Sequence, residues 1–146
     1  MDTSSFEPVI SSFYTRISGT DGNTAAVIPP DGTWSLKQIV GHLIDSAGNF
    51  HQRLVRLQEG NLENFPTYNG GFWVNAQGWQ EADWENMRQL WHSFNIHILH
   101  VIRNIPDESL ANEWFLEEDL GADLEWLIND YYQHMQHHIE KYKGKC

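Results

Sequence analysis

Cysteine is nearly missing from this chain: one of its 146 residues is a thiol, Cys146 at the C-terminal end. An intramolecular disulfide cannot form, and a zinc site built from several thiolates is excluded. Basic residues are scarce as well. Nine Lys and Arg stand against twenty Asp and Glu, a formal charge of −11, and only Lys141, Lys143 and Lys145 are grouped. A surface of that sign repels phosphate backbones and anionic headgroups, so neither nucleic acid nor membrane is an expected partner. No stretch approaches the ~18 uninterrupted apolar residues of a membrane span. The segment Met1–Ile10 has no basic start followed by an apolar run, so it does not read as a secretion signal. A cytoplasmic protein is the expectation. Strand-like runs, internal repeats and low-complexity tracts are not visible either.

Aromatic residues are plentiful. Seven Trp, seven Phe and five Tyr within an apolar fraction of 40% argue for a packed core rather than disorder. The whole chain, 1–146, is read as a single domain. Helical periodicity occurs four times. The first helix is expected over Ser5–Ser18, with Phe6, Val9, Ile10, Phe13 and Ile17 at helical spacing. The second is expected over Leu36–Glu59, opened by a capping box of Ser35 and Gln38. The third spans Ala82–Asn104, its apolar face running from Trp84, Met87 and Leu90 to Ile105, with Pro106 as the stop. The fourth spans Leu124–Tyr142, capped by Asp123. Four amphipathic helices bury their apolar faces against one another, which makes an all-α four-helix bundle with long connections. The connection Asn61–Gln80 carries Phe65, Tyr68, Phe72, Trp73 and Trp79 but only one charge. Loops of that kind are usually functional or packed on the body, so it is expected to border the mouth of a pocket.

The histidines carry the chemistry. Successive helical residues turn by about 100°. His138 therefore shares the direction of Tyr131 and Leu127, inside the apolar stripe of the last helix, and His134 lies one turn earlier at the stripe's edge. Their rings can converge on one ion. On the second helix His42 lies at the edge of its own stripe, aligned with Ser46, Asn49 and Arg53. A polar seam beside an apolar stripe is what a site inside a bundle requires, and three imidazoles leave coordination positions open. His137 points away and is expected in solvent. His51, His92, His97 and His100 point outward or sideways, with His97 as a reserve ligand. Asp45 and Asp130, each within a turn of a ligand candidate, are expected to orient the imidazoles, while Asn49 and Arg53 are candidates for holding an anionic substrate. The zinc-protease pattern is excluded because Met135 follows His134, and no His has a Glu three residues before it, as the di-iron carboxylate motif needs.

These residues also carry a family resemblance. Trp34-Ser35, then Gly41-His42-Leu43-Ile44-Asp45 and Asn49-Phe50-His51-Gln52-Arg53, resemble the first signature of the DinB-like superfamily. Trp91, Asn95 and Ile105-Pro106 are similar to its third helix, and Asp130 to His138 to its last. The resemblance implies a four-helix bundle in up-down-down-up order, a homodimer, and one divalent metal ion held by His42, His134 and His138. Neutral imidazole suits zinc, nickel, copper or iron, and zinc, nickel or iron is the expected ion. Characterised members include metal-dependent thiol transferases that use bacillithiol, mycothiol or glutathione, and an isomerase. A metal-dependent thiol-S-transferase or related hydrolase acting on a small molecule, with a low-molecular-weight thiol as a further cofactor, is therefore the leading expectation. The alternative is a non-catalytic metal- or ligand-binding helical bundle, a dimeric interaction protein.

Overall fold

The computed structural model describes residues 1–117 and 120–143; Cys146 and Lys145 lie outside them. Four long helices form the body: α1 (Phe6–Ser18), α3 (Leu36–Arg56), α5 (Trp84–Arg103) and α6 (Leu124–Lys143). Each matches its sequence expectation to within a few residues. Helix α3 starts where Ser35 accepts from the Gln38 amide and Gln38 returns a bond to the Ser35 N–H. Helix α6 starts where Asp123 accepts from the Trp126 amide at 2.7 Å. Both caps satisfy amides that the first helical turn leaves unpaired.

The apolar stripes meet in one core. Ile10, Phe13 and Ile17 of α1, Leu43, Phe50 and Leu54 of α3, Trp91 and Ile98 of α5, and Leu124 and Ile128 of α6 are all essentially inaccessible. Inside this apolar mass Asn95 is fully buried, and both ends of its amide are engaged. Its Nδ2 donates to the Trp91 carbonyl at 2.8 Å, and Oδ1 accepts from the Tyr131 hydroxyl at 2.6 Å. Phe50 stacks on the same Tyr131 ring. Leu90, expected on the apolar face of α5, is instead 47% exposed. It is turned by about 100° from Trp91, and Leu99 takes the inward place.

The connections hold more structure than periodicity implied. Asp21 caps a short helix α2 (Gly22–Ala25), and Asn69 caps α4 (Gly70–Ala76). The expected absence of strands is incorrect. Strand β1 (Leu62–Glu63) runs parallel to β2 (Glu113–Glu117), which pairs antiparallel with β3 (Leu120–Asp123). These strands span two to five residues, too short for an alternating pattern to stand out, and β1 exists only because β2 lies beside it.

The connection between α3 and α5 lies along α3. A Cβ on Gly41 would sit 2.2 Å from Cγ of Trp79, so the absence of a side chain there is what admits the indole. The Trp79 Nε1–H then reaches both carboxylate oxygens of Asp45 at 3.2 Å, and Gln77 Nε2 donates to Asp45 Oδ1 at 2.6 Å. The loop thus folds back against the face of α3 that carries His42.

Candidate metal centre

His42 projects from α3, and His134 and His138 project one turn apart from α6. Nε2 of His134 is 3.4 Å from Nε2 of His42 and 3.1 Å from Nε2 of His138. One potential ligand atom from each of the three rings falls within 4.8 Å of the other two. Two nitrogens each ~2.0–2.1 Å from one tetrahedral ion would lie about 3.3 Å apart, so these separations suit a shared ion. The donor set fits as well, because a proton on His134 Nε2 can serve only one of its two nitrogen neighbours. Among the described residues no other set of three or more His, Cys, Asp or Glu converges in this way.

The surroundings hold the rings neutral. Burial, then the neighbouring His134, pull the pKa of His42 from 6.5 down to about 4. Burial first, then the positive charge of Lys141 and that which His42, His134 and His137 would carry if protonated, pulls His138 down to about 3. Burial lowers His134 also, opposed by the nearby Asp130. Neutral imidazole is the form that binds a metal. The ring of Trp34 lies 5.1 Å from that of His42, centroid to centroid. Gly70, the first residue of α4, lies against the same ring: a Cβ there would be 3.0 Å from His42 Cε1 and 3.2 Å from Nδ1. That Nδ1 is buried with no hydrogen-bond partner.

Two hollows meet the trio. One, of about 160 Å³, lies between α3 and α6 and is walled by Arg53, Tyr68, Asp130 and His134. The other, of about 560 Å³, is walled by Trp34, Ile39, His138 and Lys141 and by residues of the loop before α3. Tyr68 belongs to the aromatic 61–80 connection, which therefore does border the site.

The remaining site candidates divide. His137 is exposed, as its helical direction required. His97 is exposed and its ring neighbours His51, so it takes no part in the trio. Asp45 does not orient an imidazole; its carboxylate is taken up by Gln77 and Trp79. Asn49 turns its amide back to the Asp45 carbonyl at 2.9 Å and leaves the site. Asp130 and Arg53 both face the smaller hollow. The residue poised on an imidazole is Ser46, whose Oγ lies 3.5 Å from His134 Nδ1, the outer limit of hydrogen bonding. Its position one turn after His42 was visible in the sequence, but nothing in one helix tells which groups of another it meets.

The fold is similar to a solved structure from Bacillus subtilis, YfiT, described as "a probable metal-dependent hydrolase with an unusual four-helix bundle topology". The match has a TM-score of 0.79 at 20% identity and covers 91% of this chain and 77% of that one. No curated protein matches the chain. The sequence model of the DinB superfamily matches residues 6–141, a span that includes all three converging histidines. The resemblance carried by the segments around His42 and His134 is thereby established: the chain belongs to the DinB superfamily.

Proposed function

We propose that His42, His134 and His138 hold one divalent ion and that the protein is a metal-dependent enzyme, a hydrolase or a thiol-S-transferase acting on a small molecule. The convergence of three imidazole Nε2 atoms, 3.1 and 3.4 Å apart, carries this reading. A bound ion would supply Lewis acidity, lowering the pKa of a water or of a small thiol so that a nucleophile exists at neutral pH. Three protein ligands leave it open positions for that purpose. A thiol brought by a small cofactor needs no protein cysteine, so the composition is compatible with either reaction.

The chain's own residues do the rest. Burial keeps the three rings deprotonated on the atoms that face inward. Ser46 steadies His134 from its far nitrogen, and Trp34 and Gly70 confine His42. The larger hollow beside His138 offers room for the body of a substrate, while the smaller one beside His134 offers polar contacts. The relative's description as a probable metal-dependent hydrolase supports the hydrolytic branch. Zinc, nickel or iron as the ion, a homodimer, an up-down-down-up helix order and a cytoplasmic location belong to the same proposal.

The test is elemental analysis of untagged protein purified without chelators, followed by hydrolysis and thiol-transfer assays on loaded and stripped protein. Near-stoichiometric metal, with turnover that disappears on stripping and returns on reloading, is expected. Folded protein that takes up no zinc, nickel or iron overturns the reading. Tight metal binding with no turnover in either assay series would assign a non-catalytic metal-binding bundle instead.

A further inference from the structure

Arg53 lies three turns after His42 on the same side of α3, half-buried at the wall of the smaller hollow. Its guanidinium carbon lies 4.4 Å from the centroid of the Trp114 ring, a cation–π contact. The donors of the guanidinium are under-used. Nε is buried without a hydrogen-bond partner, and the ion pairs among the described residues, Arg88–Glu85 and Arg103–Glu7, do not include Arg53. A cation withdrawn from water with no contacting anion is costly, and an anion supplied by a ligand would offset that cost. The side chain of Tyr68 lines the same hollow with a hydroxyl that can donate.

We infer that the hollow between Arg53, Tyr68 and His134 is a subsite for a single carboxylate on the substrate, held by the Arg53 guanidinium. Its size and its charge both narrow the ligand. At about 160 Å³ it is smaller than the roughly 300–1,000 Å³ pockets that enclose whole ligands, so it takes the end of a molecule. Asp130 stands on its wall without contacting Arg53. That carboxylate disfavours a second negative charge, which selects a monocarboxylate over a phosphate dianion. His134 lines the hollow too, so a molecule anchored at Arg53 extends toward the trio. The orientation of the substrate rests on reading the trio as the reactive centre; the anion subsite itself does not need the metal.

Butyrate is the probe, titrated by ligand-observed NMR against the full chain, metal-free and zinc-loaded, with inorganic phosphate as competitor. Butyrate is expected to bind both forms, and Arg53→Gln to weaken it about tenfold or more, as loss of a charge-assisted hydrogen bond does. Phosphate is expected to compete poorly. Equal affinity in wild type and a folded Arg53→Gln variant, or no binding to wild type, overturns the subsite, and phosphate binding more tightly than butyrate overturns its selectivity. If Arg53→Gln fails to fold, Tyr68→Phe decides, with a loss of ~3-fold or more expected and no loss refuting the proposal. Uptake of zinc, nickel and iron is measured separately on the same samples. Butyrate bound through Arg53 by protein that takes up none of the three would refute the metal reading alone, whereas metal uptake with Arg53-independent butyrate would refute the subsite alone.

Discussion

Ser46 Oγ stands 3.5 Å from Nδ1 of His134, on the far side of the imidazole whose Nε2 faces His42 and His138. A group that engages the outer nitrogen fixes the tautomer and aims the inner lone pair. Ser46→Ala is therefore expected to reduce zinc affinity roughly 10–100-fold without unfolding the bundle. Competition with a chromogenic chelator measures it. Unchanged affinity would show that the 3.5 Å contact does not orient the ring.

Single Ala replacements of His42, His134 or His138 should cost more metal affinity than Ser46→Ala does, while His137→Ala should cost little. His137 is exposed, its ring centroid 5.7 Å from that of His138. The same chelator competition compares all four variants. Comparable losses for His137→Ala and His138→Ala would place the wrong face of α6 toward the site.

Burial of the trio has a consequence for acid stability. His42 and His138 titrate at about 4 and about 3 in the folded chain against 6.5 for a free imidazole. Below that value the unfolded chain binds protons that the folded chain refuses, so stability rises with pH in this range. The contribution is complete above pH 6.5 and is lost as pH falls through 4 and then 3. Urea midpoints of metal-free protein should decline across this window, and His42→Ala should flatten the decline. A pH-independent midpoint would contradict the burial of these rings. Metal release follows the same sign. Free imidazoles would lose an ion between about pH 6 and 5, but rings that resist protonation move the release lower.

The bond from Tyr131 to Asn95 makes a prediction about the core. Tyr131→Phe keeps the ring stacked on Phe50 but leaves the buried Asn95 Oδ1 without its donor. A loss of about 1–3 kcal/mol in unfolding free energy is expected from chemical denaturation. A neutral result would mean that Asn95 finds another donor.

Gly41→Ala tests the docking of the long connection. Its Cβ would meet the Trp79 ring at 2.2 Å, so the indole must shift away from Asp45. A destabilisation of about 1–3 kcal/mol and a red-shifted, more quenchable Trp emission are expected. An unaltered spectrum would show that the indole is not seated there.

The four long helices, their caps and the converging histidines could be read from the chain because each depends on a short-range regularity. Ser35 and Gln38 are three residues apart, and His134 and His138 four. What could not be read depends on partners far away in the sequence. Strand β1 needs β2, about fifty residues later. Asp45 looked free to serve an imidazole because Gln77 and Trp79, 32 and 34 residues away, do not announce that they will occupy it. Leu90 was misplaced for a related reason: an apolar residue beside a broad stripe does not reveal which flank the neighbouring helices cover.

His42 and His134 are 92 residues apart in the chain yet 3.4 Å apart between nitrogens. An ion shared by them would act as a reversible staple closing nearly two-thirds of the polypeptide into one ring. The entropy of closing a loop grows only slowly with its length, so most of that cost is met by the apolar stripes before any ion arrives. Occupancy would then report on completed assembly of α3 against α6, and an unfolding chain would lose the ion in one cooperative event.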